Sequence, residues 1–310
     1  MNIVLHYPAG PGLAGRLADL AGDGLHITIC PGDPAAALRD ADVLWHVLTP
    51  CTAAMIAGAP KLRLIQKIGT GVNTIDLAAA KARGIAVCNL PGTNAPAVAE
   101  MALLLMLAAL RRLPLLDRAT RDGSGWALDP GLQDSFGELG GRTVGLVGYG
   151  AIPQKLAPVL RALGCRVLYT ARTPKPDALG EWRSLHGLLA ESDVVSLHLP
   201  LTADTARLID AAALARMKPG AVLVNTARGG LVDQAALTAA LASGHLAAAG
   251  LDVFATEPEN PADPLFTLPN VVVAPHVAWL TTGTFERSFA LAAENCRRLR
   301  AEQPLLHQVQ

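Results

Sequence analysis

Three segments of this sequence carry side chains able to hold an anion and move a proton. Arg228 lies in Asn225-Thr226-Ala227-Arg228-Gly229-Gly230, Glu257 in Asp252-Val253-Phe254-Ala255-Thr256-Glu257-Pro258, and His276 in Ala274-Pro275-His276-Val277-Ala278-Trp279. A guanidinium binds a carboxylate and polarises a carbonyl oxygen, an imidazole transfers a proton, and a carboxylate holds that imidazole and favours its charged form. Such a set serves the reversible reduction of a 2-keto acid. Each segment follows an apolar run with strand character, and the carboxyl ends of parallel strands gather on the side where ligands bind. Taken singly, each has a plain alternative: a surface or core histidine, a turn glutamate before proline, a solvated loop arginine.

A second constellation precedes these. Thr143-Val144-Gly145-Leu146-Val147-Gly148-Tyr149-Gly150-Ala151-Ile152-Pro153 reads as a buried strand, a glycine turn and the start of a helix, the context of a dinucleotide site. Gly148 permits the tight turn, Gly150 lets backbone approach a pyrophosphate, and the N–H groups of the helix N-terminus receive it, so the cofactor candidates here are Gly148, Tyr149, Gly150, Ala151 and Ile152. Pro153 replaces the third glycine of the usual pattern, at a place where proline gives up an N–H that has no helical partner. Pro158, deeper in the helix, predicts one lost backbone bond and a bend. After the next strand, Arg166 to Thr170, the acid that would hold a ribose 2′-hydroxyl is absent, and Ala171-Arg172 stands in its place. Arg172, with Thr173 and Lys175 assisting, suits a 2′-phosphate, so NADP is the expected cofactor, with NAD possible.

The elements that must position these residues alternate between short apolar strands and Ala-rich helices, which predicts an α/β protein with parallel sheets. A first set of strands is read at 3–7, 27–30, 43–48, 62–68 and 86–89. A second, apolar almost without alternation as in sheets buried on both faces, is read at 143–147, 166–170, 194–199, 221–226, 250–254 and 271–274. A helix from Asn94 to about Arg112 separates the sets, followed by a Gly- and Pro-rich arm over 113–140 with no clear periodicity. A closing helix, about Thr281 to Arg300, returns the chain to the first unit. The expected organisation is a discontinuous domain, 1–93 plus 279–310, and an inserted dinucleotide-binding domain, 94–278.

Twenty-six Lys plus Arg balance 26 Asp plus Glu in 310 residues, so no basic surface for nucleic acid or an anionic membrane is expected. The longest apolar run, Met101 to Leu110, is half the roughly 20 residues that span a bilayer. The first residues carry no secretion signal, and five scattered cysteines without CxxC spacing suit a reducing cytoplasm and no metal site.

Several ordered blocks together resemble the D-isomer-specific 2-hydroxyacid dehydrogenases, especially their glyoxylate/hydroxypyruvate reductase branch: Lys67-Ile68-Gly69-Thr70-Gly71-Val72-Asn73-Thr74-Ile75-Asp76, Asn94 to Glu100, the glycine loop, Leu197-His198-Leu199-Pro200-Leu201-Thr202, Asn225 to Asp233, Ala249 to Pro258, and Pro275-His276. The resemblance implies two Rossmann-like doubly wound domains. It implies that Arg228 binds substrate, His276 is the general acid/base and Glu257 its partner. Asp252 would approach the nicotinamide, and Leu199, Pro200, Thr205, Thr226 and Ala227 would join the cofactor contacts. The backbone amides of Gly69, Thr70, Gly71 and Val72 would bind the substrate carboxylate in an interdomain cleft. Family members are commonly homodimers through the arm, and Trp126 is a candidate either to border a partner's pocket or to pack at the dimer contact. The related formate dehydrogenases pair their histidine with glutamine, so Glu257 argues against formate; phosphite dehydrogenases keep the triplet. A different class, the family's cofactor-sensing corepressors, is disfavoured because the chain lacks a long charged or Pro-rich tail.

Overall fold

In the computed structural model, which describes residues 1–22, 24–127 and 129–310, the apolar runs form two parallel sheets in two compact units, 1–94 with 280–310 and 95–279. The breaks fall one residue after the expected ones. Trp279 stays with the second unit because its indole N–H donates to the His276 carbonyl at 3.1 Å.

The first unit holds β1 (Asn2–His6), β2 (His26–Ile29), β3 (Val43–His46), β4 (Leu64–Lys67) and β5 (Ala86–Cys88), in the order β2-β1-β3-β4-β5. Helices α1 (Pro11–Leu20), α2 (Ala35–Leu38), α3 (Ala53–Ala57) and α4 (Leu77–Ala82) connect them. The chain's last helix, Thr282–Arg300, is capped by the Thr281 hydroxyl and covers one face, where Phe289 meets Trp45 with ring centroids 5.2 Å apart. Even the polar residues of β3 and β4 are buried: Gln66 takes a 2.7 Å bond from Asn295, and the Lys67 ammonium donates to the Val47 carbonyl.

The second unit begins with α5 (Ala95–Leu110) and α6 (Leu113–Asp122), then short 3₁₀ turns at Ser124–Ala127 and Pro130–Ser135. It continues through β6 (Thr143–Val147), α7 (Ala151–Ala162), β7 (Arg166–Thr170), β8 (Glu181–Trp182), α8 (Leu185–Glu191), β9 (Val194–Leu197), α9 (Ala211–Arg216), β10 (Ala221–Asn225), α10 (Gln234–Ala242), β11 (Leu246–Leu251) and β12 (Val271–Val273). The order is β12-β11-β10-β9-β6-β7-β8, all parallel, and it reverses between β6 and β9, the place where such sheets open a crevice for ligands. Val222 and Val224 face a core with α5 and α7, while Ala221 and Leu223 face a core with α8, α9 and α10. Burial on both faces explains runs that show no alternation.

Three readings change, at α6, β11 and β8. The arm contains a helix, α6, which starts at Arg112 in left-handed backbone (φ 47°), is supported by the Asp117–Arg121 pair and ends at Gly123 (φ 85°). Helix α7 contains Pro158 in its interior, at an exposed position. Strand β11 starts at Leu246, ahead of the expected 250, and the two-residue β8 is an addition. Among the described residues, no helix is long and apolar enough to cross a membrane.

Gly145 sits in mid β6, where a Cβ would press on Ser192 Oγ and lie 2.5 Å from Leu188 Cδ2. Gly145→Ala is expected to cost about 1–3 kcal/mol and to lower the melting midpoint of this unit by about 2–10 °C; an unchanged midpoint in calorimetry would refute this packing. Each unit also holds a histidine, His46 and His198, with a buried ring nitrogen that has no partner among the described residues. Burial, then the charge of Lys67, drives His46 down to about 3, and burial alone drives His198 to about 3. Both folded values lie below the ordinary 6.5, so between pH 6.5 and 3 the unfolded chain binds protons that the folded chain does not, and stability falls as pH falls. The slope is up to about 1.4 kcal/mol per pH unit for each histidine, opposed in part by Asp252, whose carboxyl burial raises. Urea midpoints should hold from about pH 8 to 7 and drop below about 6; midpoints flat down to about pH 5 would contradict it.

Candidate active site

Strands β10, β11 and β12 end in one row, with Asn225 opposite Leu251 and Leu251 opposite Val273. The loops that leave this row carry Arg228, Glu257 and His276. The first loop is closed by Asn225, whose amide donates to the Arg228 carbonyl at 2.9 Å and accepts the Ala227 N–H at 3.0 Å. Gly229 then lies flat on the next loop: a Cβ there would overlap the Phe254 carbonyl and come within 2.6 Å of the Ala255 nitrogen. Only glycine allows that approach.

Glu257 spends one oxygen on the Phe254 N–H (3.0 Å) and the other on His276 Nδ1 (2.6 Å). Burial raises its carboxyl, but the bonds from His276 and Phe254 outweigh this and leave it below the ordinary glutamate value. A carboxylate partner requires the proton on Nδ1, which leaves Nε2 as the ring nitrogen able to exchange a proton. His276 itself is in left-handed backbone, φ 57°, a conformation costly for a side-chain-bearing residue. Asp252 holds it there: its carbonyl accepts the His276 N–H at 2.8 Å, and its buried carboxylate accepts the N–H groups of Val277 (2.8 Å) and Ala278 (2.9 Å). Arg228 is half-buried; burial lowers its pKa and the charge of Glu257 opposes that, so the three groups share one electrostatic environment.

At the sheet's switch point a cleft of about 510 Å³ is lined by Gly148, Tyr149, Ala171, Arg172, Thr173, Lys175 and Leu199. The turn fits a dinucleotide. Gly148 has φ 100° and a Cβ on it would be 2.8 Å from the His198 carbonyl, while Gly150 faces open space and caps α7 with no side chain on the first N–H groups. Tyr149 is buried and Ile152 packs on the core, so these two offer a ligand their backbone rather than their side chains. In the loop after β9, Thr205 donates to the Pro200 carbonyl at 2.7 Å and accepts the Thr202 N–H at 2.8 Å, which shapes the segment holding Leu199 and Pro200. Thr226 is buried with a hydroxyl that has no partner among the described residues.

In the first unit, Gly69 (φ 143°) opens a loop tied back by Leu90 N–H to Gly69 O (2.8 Å) and by the Asn89 amide to Thr70 O (2.8 Å). Among the described residues, the N–H groups of Gly69, Thr70, Gly71 and Val72 find no protein acceptor. Trp126 on the arm is 88% exposed. Sequence reasoning passed over the loop-closing role of Asn225 and the contact made by Gly229; an asparagine at a strand end three residues before Arg228 was the available signal for the first.

The family model described as "D-isomer specific 2-hydroxyacid dehydrogenase, NAD binding domain" matches residues 103–278. A glyoxylate reductase of Aeropyrum pernix is 43% identical over 265 residues, 83% of this chain and 79% of that one. A D-3-phosphoglycerate dehydrogenase of Mycobacterium tuberculosis is 44% identical over 269 residues, 84% of this chain but half of that longer protein. The crystal structure of the TT0316 protein from Thermus thermophilus superposes with a TM-score of 0.89 at 39% identity, covering both chains in full. The chain therefore belongs to the D-isomer-specific 2-hydroxyacid dehydrogenases, enzymes that use a nicotinamide dinucleotide to interconvert keto acids and hydroxy acids.

Proposed function

We propose that this enzyme reduces a small 2-keto acid, of the glyoxylate or hydroxypyruvate kind, to the D-2-hydroxy acid, with NADPH preferred over NADH. The observation that carries the reading is the 2.6 Å pair between His276 Nδ1 and Glu257 Oε2, set beside the half-buried Arg228 on aligned strand ends. The glycine turn at Gly148 and Gly150 and the N-terminus of α7 would hold the dinucleotide, which when bound would supply a hydride for the keto carbon. Arg228 holds the substrate's carboxylate and draws electron density onto its carbonyl oxygen. His276 donates the Nε2 proton to that oxygen as it becomes a hydroxyl, and recovers a proton from solvent. Glu257 keeps the ring's tautomer and favours the charged imidazole. Asp252 acts on the backbone of residues 276 to 278 rather than on the reacting atoms. The free amides of Gly69, Thr70, Gly71 and Val72 are assigned to the substrate carboxylate.

Arg172, Thr173 and Lys175 line the cleft with two cations and a hydroxyl, and Ala171 removes the acid that would repel a 2′-phosphate. We assign the enzyme to the cytoplasm and read it as a homodimer through the arm, where Leu113 and Trp126 are exposed, as are Leu104 and Leu107 on α5. Glyoxylate is the chemistry in the name of the Aeropyrum relative.

His276→Ala should lower kcat by about 10²–10⁴ while leaving the dissociation constant for NADPH unchanged. Arg228→Ala should raise KM for glyoxylate and lower kcat/KM by about 10²–10³. Near-normal steady-state kinetics in either variant would defeat the assignment, and a wild type that binds NADPH yet consumes none with a panel of 2-keto acids would point to a sensor. Charge-assisted contacts are worth about 1.5–3 kcal/mol, so kcat/KM should favour NADPH over NADH by about ten- to a hundredfold; a preference for NADH would reject the cofactor reading.

A further inference from the structure

We infer that the Tyr169 hydroxyl, helped by that of Tyr149, is a specificity-determining positioning group that holds the loop after β7 in the shape that receives a 2′-phosphate, an inference that rests on the NADP reading above. The loop, residues 171–180, has no helix or strand of its own, and Arg172, Thr173 and Lys175 are exposed on it. Left to water, such a segment would scatter its cations over many conformations. Its backbone is instead fixed at three places. The Trp182 indole donates to the Ala171 carbonyl at 3.1 Å, the Tyr149 hydroxyl accepts the Leu179 N–H at 2.8 Å, and the Tyr169 hydroxyl accepts the Lys175 N–H at 2.7 Å while donating to the Lys175 carbonyl at 3.3 Å.

The double contact at Lys175 matters most. A hydroxyl that engages both the donor and the acceptor of one residue permits a narrow range of backbone angles there, and Lys175 and Arg172 share the wall of the cleft. The two phenols are buried with ring centroids 4.5 Å apart, and Tyr149 stands between Gly148 and Gly150. One ring pair therefore joins the turn that takes the pyrophosphate to the loop that meets the ribose. Neither hydroxyl is needed by the sheet, whose bonds are made by backbone. A ligand with a 2′-hydroxyl makes no demand on Arg172 or Lys175, so loosening the loop should weaken only a ligand that carries the 2′-phosphate.

The test is calorimetric titration of the full-length wild type and Tyr169→Phe with adenosine 2′,5′-bisphosphate and with 5′-AMP. Phenylalanine keeps the buried ring and removes only the oxygen. The wild type should bind the bisphosphate about tenfold more tightly or better. In Tyr169→Phe that ratio should fall about three- to tenfold, with 5′-AMP affinity within about twofold of wild type. Tyr149→Phe, which releases the far end of the loop, should show a smaller fall in the same direction. Wild-type parity between the two ligands removes the NADP reading and this inference with it. A wild-type preference that persists undiminished in Tyr169→Phe overturns this inference alone, as does an equal loss for both ligands, the mark of a purely structural role.

Discussion

The grouping of Arg228, Glu257 and His276 depends on three adjacent parallel strands stopping at the same level. Backbone pairing places Asn225, Leu251 and Val273 side by side, and hydrogen bonding in a parallel ladder lets no strand slide by one residue without turning its side chains to the other face. Both faces here are packed, so the register is fixed by two cores at once. Loops that leave a fixed row can be short and still bring distant residues together: three residues past the end of β10 give Arg228, six past β11 give Glu257, three past β12 give His276. The contact of Gly229 with the Phe254 carbonyl then locks the first two loops to each other, a constraint no substituted residue could meet.

Two carboxylates at the end of β11 divide the remaining work by environment. Asp252 is buried and meets only backbone N–H groups. Its charge compensates a turn in which His276 is forced into left-handed backbone, so it stabilises the shape from which the imidazole projects. Glu257 is more exposed and meets the imidazole itself. Exchanging the two roles is not open to this fold: a carboxylate in the Asp252 position is saturated by amides, and one in the Glu257 position is too far along its loop to support the turn. The strained residue and its support are thus encoded on different strands, which makes the site a property of the sheet rather than of any one loop.

What could be read in the sequence follows from the same physics. Strands β6 and β7 coincide with apolar runs because burial on both faces demands them, and the glycine turn is legible because φ 100° and a 2.8 Å approach to His198 admit no side chain. Helix α6 carries a legible stripe, half-buried Leu115, Leu116 and Ala119 opposite exposed Asp117, Arg118 and Arg121, but the glycines and prolines around so short a helix mask it. The start of β11, Leu246-Ala247-Ala248-Ala249, has a composition equally suited to a helix, and only pairing with β10 decides it. Among site residues, types with their own chemistry at strand ends announce themselves. Tyr169 does not: its spacing marks a core residue of β7, and the use of its hydroxyl is set by a loop conformation that no periodicity encodes.

Charge placement separates the cations that build the fold from those available to a ligand. The chain has no net charge, and at the two ends of the segment 166–183 Arg166 and Arg183 are each paired with both Glu181 and Glu191 at 2.8–3.2 Å. That network draws Glu181 down to about 2, through Arg166 first and Arg183 after it. It ties β7, β8 and α8 together at the surface. Arg172 and Lys175, a few residues along the same strand-loop segment, have no carboxylate partner among the described residues, although the sequence supplies acids close by. Along this one segment the guanidiniums of Arg166 and Arg183 are spent on the fold, while Arg172 and Lys175 stand at the cleft wall. On the proposed NADPH reading, these are the two cations that would meet a phosphate on the ribose.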